Sequence, residues 1–184
     1  MAVLDNTSSP NTPPPFWNTV LRYGGFCGLT LIVFSLISYL LGISPMSVSA
    51  MAINFIIALG VTIAFAAIAI KYQRDQLDGG FIGYGRALLV GMITVGIGVI
   101  ISSVWNYILV NFIDPGYVDT LKEEFLETWG ENMPAEALEE TMANFDKMGD
   151  VSTIASNGIM GGLILGLIAG LIAAAFMKRD RPLE

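Results

Sequence analysis

Four stretches of this chain, residues 20–43, 51–70, 87–112 and 153–177, are continuously apolar, and Arg22 is the one charged residue within them. A hydrocarbon core of about 30 Å takes roughly 20 helical residues to cross. In lipid, only helices and closed barrels satisfy every backbone N–H and C=O. Barrel strands alternate apolar with polar residues, and these runs do not. The expected fold is therefore an all-α membrane protein with four transmembrane helices. Composition agrees: 54% of the 184 residues are hydrophobic and 14% are charged, against about 25% charged in a typical soluble domain.

The net charge of -7 says less than the placement of the charges. Lysine and arginine beside a span resist translocation. Arg22, Lys71, Arg74, Arg86, Lys178, Arg179 and Arg181 all fall on one side of the threaded chain; the other side has only Lys122 and Lys147. Both termini are thus expected in the cytoplasm, in a multi-pass inner-membrane arrangement. Residues 1–16 are polar and rich in proline and are expected as a disordered cytoplasmic tail, followed by a membrane domain over 17–179 and a short tail over 180–184. A cleaved signal peptide before "SVSA" is disfavoured, because the first apolar run is too long and Arg22 is its only basic residue.

Between the third and fourth spans, residues 114–150 carry eleven acids against two lysines. Tyr117, Leu121, Phe125 and Trp129 recur every four residues, and Leu138, Met142, Phe145 and Met148 make a second stripe. Asp114 and Pro115 suit a helix start as cap and first-turn residue. Gly130 breaks the pattern, and a new start falls near Pro134. These features predict a short external amphipathic helical hairpin. Leu121, Phe125, Trp129, Leu138, Met142 and Phe145 are the candidate partner-binding residues. Their partner is open between each other, the membrane interface and another protein. The acids lack the spacing of a calcium loop, so no metal site is expected.

Glycine weakens a helix in water, yet Gly158, Gly162, Gly166 and Gly170 stand at every fourth position of the last span. Lipid tails are as apolar as leucine, so membrane helices gain by packing closely, and small residues allow that. Gly24 and Gly28 repeat the spacing in the first span, and Gly91 offers a small contact in the third, as do Gly96 and Gly98. Two uses of these rows stay open: packing within the chain, which is preferred, or a contact with a second copy or another membrane or periplasmic protein.

The chain has no histidine, a single cysteine, Cys27, and no phosphate loop, nucleophile elbow or zinc-protease motif. Neither catalytic residues nor a cofactor is expected, nor is a nucleic-acid partner. Ion-coupled transport usually needs an ionisable group at membrane depth or a broken helix; no span contains an acid, a mid-depth basic residue or an internal proline. Asn54, Asn106, Asn111 and Asn157 all lie toward the external leaflet, near Ser38 and Tyr39. They would line a shallow polar cavity or serve as interhelical hydrogen bonds worth about 0.6 kcal/mol each. A non-enzymatic structural or interaction subunit is the preferred expectation, and a small channel or transporter is the alternative.

Certain segments are more individual: "RYGGFCG" opening the first span, "GGFIGYGRALLVG" leading into the third, "NYILVNFIDPGYVD" leaving it, "NMPAEALEE", and "NGIMGGLILGLIAG". In this order the chain resembles a bacterial membrane family catalogued as domain of unknown function 4199, over about residues 20–179. The resemblance implies a multi-pass inner-membrane protein without an assigned activity, so it transfers no catalytic residues. Within "GGFIGYG", Gly79 and Gly80 suit a turn, with Phe81, Ile82 and Tyr84 expected at the membrane surface. A docking elbow for a cytoplasmic partner is the sharper reading of that stretch.

Overall fold

The computed structural model describes residues 15–179. Six α-helices follow one another: α1 (Pro15–Leu40), α2 (Val48–Tyr72), α3 (Tyr84–Ile108), α4 (Tyr117–Trp129), α5 (Ala135–Asp146) and α6 (Val151–Met177). Of these, α1, α2, α3 and α6 are long and apolar enough to cross a membrane. Of the tail expected over 1–16, Pro15 and Phe16 instead open α1; the rest of it, and the tail expected over 180–184, lie outside the described residues.

The helix ends refine the expected spans. At the first, apolar residues run on to Ile43, but the helix stops at Leu40 because Gly42 takes a φ of +62°. The Ile43 N–H then donates to the Ser38 carbonyl at 3.1 Å and the Gly42 N–H to that of Tyr39 at 3.0 Å. This is a Schellman stop, which needs a residue at ease in the left-handed region. Span two continues seven residues beyond Ile70, through a π-helical turn over Gln73–Leu77, and span three ends in a similar turn over Leu109–Ile113. Lys71 and Arg74 do not end the helix: exposed Lys71 can reach the headgroups along its apolar stem, and the Arg74 guanidinium is satisfied by Asp75 and the Met177 carbonyl.

Contacts at the ends establish the threading. Tyr23 of α1 stacks on Tyr72 of α2 with ring centres 5.5 Å apart. Arg74 donates to the Met177 carbonyl at 3.1 Å, and Ile82 and Arg179 exchange backbone hydrogen bonds of 2.9 and 3.0 Å in an isolated antiparallel bridge. The start of α1, the end of α2, the start of α3 and the end of α6 thus share one end, called the basic end below. Successive spans run in opposite directions. Around the bundle the order is α1, α3, α6, α2, with α2 also touching α3 across the diagonal.

Polarity within the bundle is that of a protein solvated by lipid. Ala66, Ala69, Ala87, Ala169, Ala173 and Ala174 fill the interior, while Leu29, Val33, Ile56, Val104, Ile159 and Leu163 face outward. In water such a surface would be a large exposed apolar patch; in lipid it costs little. With small residues inside, the backbones come close. A Cβ built on Gly166 would lie 2.7 Å from the Met92 carbonyl oxygen, one on Gly158 2.5 Å from Ser103 Oγ, and one on Gly170 3.1 Å from the Met92 nitrogen. Gly162 meets Gly96 backbone to backbone. The glycine row of α6 is therefore spent on α3 of the same chain. Gly24 and Gly28 do the same from the other side, where a Cβ would meet the carbonyl oxygens of Thr94 and Gly98 at 2.9 Å in each case. Gly91 lies against Gly170 and Ile70. Helix α3 is held between two glycine-lined faces.

Candidate functional site

Opposite the basic end, α1 and α2 are joined by a connection that α4 lies across. Ser47 caps α2 by accepting from the Ala50 N–H at 3.3 Å. Three hydrogen bonds then tie this region to the chain leaving α3: Tyr39 donates to Asp114 at 3.1 Å, Ser44 to Glu124 at 2.7 Å, and the Trp129 indole to the Met46 carbonyl at 3.3 Å. Asp114 was expected to cap α4. Instead α4 starts at Tyr117 behind Gly116 with no side-chain cap, because the Asp114 carboxylate faces Tyr39 while its carbonyl accepts from the Tyr117 N–H at 3.1 Å.

Gly130–Asn132 form a 3-10 turn, and α5 begins after Pro134, as the sequence suggested. The middle of α4 meets the end of α5 through the Phe125–Phe145 ring pair, 5.5 Å between centres, and through Lys122, which bonds Asp146 at 2.6 Å. The candidate partner-binding residues are thereby largely used within the chain: Leu121 and Phe145 are buried, and Phe125, Trp129, Leu138 and Met142 are half-buried. What α4 turns outward is polar, Asp119, Glu123 and Glu127 with Thr120 and Thr128, except for exposed Leu126.

Beneath α4, between the ends of α3 and α6, lies a cavity of about 350 Å³. Its walls include Pro45, Ser103, Asn106, Tyr117, Leu121 and Asn157. Of the four asparagines, Asn106 and Asn157 meet here. Asn106 donates to the Ser102 carbonyl at 3.0 Å. Asn111 instead donates to the carbonyls of Tyr107 and Gly149, both at 3.1 Å, and so pins the α5–α6 connection to α3. Asn54 is half-buried on α2 and is not part of this wall. Burial first, then Glu124, Tyr39 and Asp114, push the Tyr117 phenol above its ordinary value. It stays protonated and able to donate at neutral pH. Among the described residues no three Cys, Asp or Glu side chains converge to hold a metal ion.

At the basic end, a network that the sequence did not reveal locks the α2–α3 turn. Asp78 accepts two hydrogen bonds from Arg86, at 2.7 and 2.8 Å, and one from Gln73 at 3.2 Å. Gln73 is fully buried. Gly79 and Gly80 take φ of +67° and +90° and close the turn. Tyr84 is exposed, but Ile82, expected at the surface, is 2% exposed. Its bridge to Arg179 draws it beneath the end of α6.

No curated protein and no solved structure matches the chain. A family model described as "Protein of unknown function (DUF4199)" matches residues 22–179, which takes in α1 from Arg22 onward and the whole of α2 to α6. The chain belongs to the DUF4199 family.

Proposed function

We propose that this chain is a non-enzymatic interaction subunit of a bacterial inner membrane, with both termini in the cytoplasm and the α4–α5 pair outside. The closure of α3 against its neighbours carries the reading. At Gly24, Gly28 and Gly166 the helices stand too close for a methyl group, which leaves no water-filled path past those points. A channel or transporter needs such a path; a binding subunit does not. The asymmetry of basic residues supports the orientation. It leaves the firmly tethered α4, with Leu126 exposed among acids, as the face offered to a protein at the outer surface.

The test is photocrosslinking in native membranes. A photoreactive residue in place of Leu126 should give an adduct with a distinct protein, and one in place of lipid-facing Leu163 should give lipid adducts. Phe125 is a poor probe position, since it faces Phe145. A second probe in place of exposed Glu127 guards against an unfavourable geometry at 126; adducts made only of this chain, or none at either position, would overturn the reading of a separate partner.

A further inference from the structure

The cavity beneath α4 does not end at its polar wall. Ser103, Ile154 and Gly158 are shared with a second cavity of about 340 Å³ on the outer flank of α3 and α6, lined otherwise by residues such as Ile100, Val104, Ala155 and Ile159. Each volume is in the lower part of the range of ligand pockets, about 300–1,000 Å³. One compartment is an apolar slot beside lipid-facing side chains. The other carries neutral hydrogen-bonding groups: Asn157 and the Tyr117 hydroxyl have no hydrogen bond within the described residues, and Asn106 has spent only one amide N–H.

We infer that this two-part crevice holds a neutral lipid-like amphiphile, its chain between Val104 and Ala155 and its uncharged hydroxyl or amide head against Asn106 and Asn157. The apolar slot by itself would take any acyl chain. The head compartment adds selectivity, because the exposed amides of Asn106 and Asn157 and the half-buried Tyr117 hydroxyl present uncharged donors and acceptors side by side, which match a hydroxyl or amide head. No ionised side chain lines either compartment. The neighbouring cleft, which shares Pro45, Tyr117 and Leu121 with this compartment, carries the carboxylates of Asp114 and Glu124, and they repel an anionic head. Lys147 stands in an adjoining opening that shares Asn157 and Met148, so an anionic head is the competitor that the experiment must include. The inference goes beyond the protein-partner reading and does not depend on Leu126.

The test uses the full chain in phosphatidylcholine nanodiscs, with a monoacylglycerol carrying a photoreactive group in its chain as the probe. Labelling should saturate, map to peptides containing Val104 and Ala155, and be competed by unlabelled monoacylglycerol. Ala155→Trp fills the slot from a lipid-facing position, and Asn157→Leu removes the head contact; each should weaken labelling about tenfold. Leu171→Trp, elsewhere on the exposed face of α6, should leave it unchanged. Labelling that rises without saturation, or that ignores both Ala155→Trp and Asn157→Leu in a chain with unaltered helicity, would mean bulk lipid only. Equal or tighter labelling by the matching photoreactive fatty acid would overturn the neutral head.

Discussion

Gly166→Val should force α6 away from α3 and destabilise the bundle by about 3 kcal/mol, the upper part of the usual cost of overpacking a close-packed interior. The reason is that the atom met by the new side chain is backbone: a Cβ at this position would lie 2.7 Å from the Met92 carbonyl oxygen, within a hydrogen-bonded helix that has no rotamer to change. Separation at Gly166 also opens the contacts of Gly162 with Gly96 and of Gly170 with Leu88 and Met92. In a membrane no hydrophobic effect compensates for that loss. Unfolding in mixed micelles with increasing sodium dodecyl sulfate measures it. Gly161→Ala is the matched control, since its Cβ would rest 3.9 Å from Val99, an ordinary van der Waals distance. If the two variants unfolded together, close approach of α3 and α6 would not be what holds this fold.

Phe145→Ala should release the α4–α5 pair while the spans stay folded. Phe145 is 6% exposed and stacks edge-on against Phe125; truncating a buried phenylalanine typically costs about 3–5 kcal/mol. The loss falls on a unit joined to the bundle by hydrogen bonds from Tyr39, Ser44 and Trp129, so the opening is local. Hydrogen exchange should show amides of α4 and α5 losing protection, with those of α3 and α6 unchanged. Loss of protection through the whole chain would show instead that the pair is an integral part of the core.

The sequence makes the spans legible because hydropathy over 20 residues is a strong local signal, and lysine and arginine placement orders their ends. The glycine row of α6 is legible as a face, yet spacing alone defines a face and not its partner; Met92 and Gly96 become the partners only once α3 is set beside α6. The Gly42 stop was within reach of the sequence, since a glycine at the end of an apolar helical run is a known terminus signal. Asp114 shows the opposite case. Its local context reads as a cap, and the phenol that engages its carboxylate lies 75 residues earlier. The site divided in the same way: Asn106 and Asn157 share a wall, whereas a backbone carbonyl beyond α5 takes the amide of Asn111. Helical position told depth, but depth does not tell which way a side chain turns around the helix.

The two glycine faces on α3 also impose an order on assembly. Helices emerge from synthesis from the N-terminus onward, so Gly24 and Gly28 of α1 reach α3 while α6 does not yet exist. A three-helix intermediate can therefore close one seam and present the other face of α3, at Met92 and Gly96, to a helix still to come. The bridge between Ile82 and Arg179 needs a residue near the end of the described chain. It is a fastening that can form only when the last span has been made, and a chain cut short before Arg179 would leave Ile82 without its backbone partner.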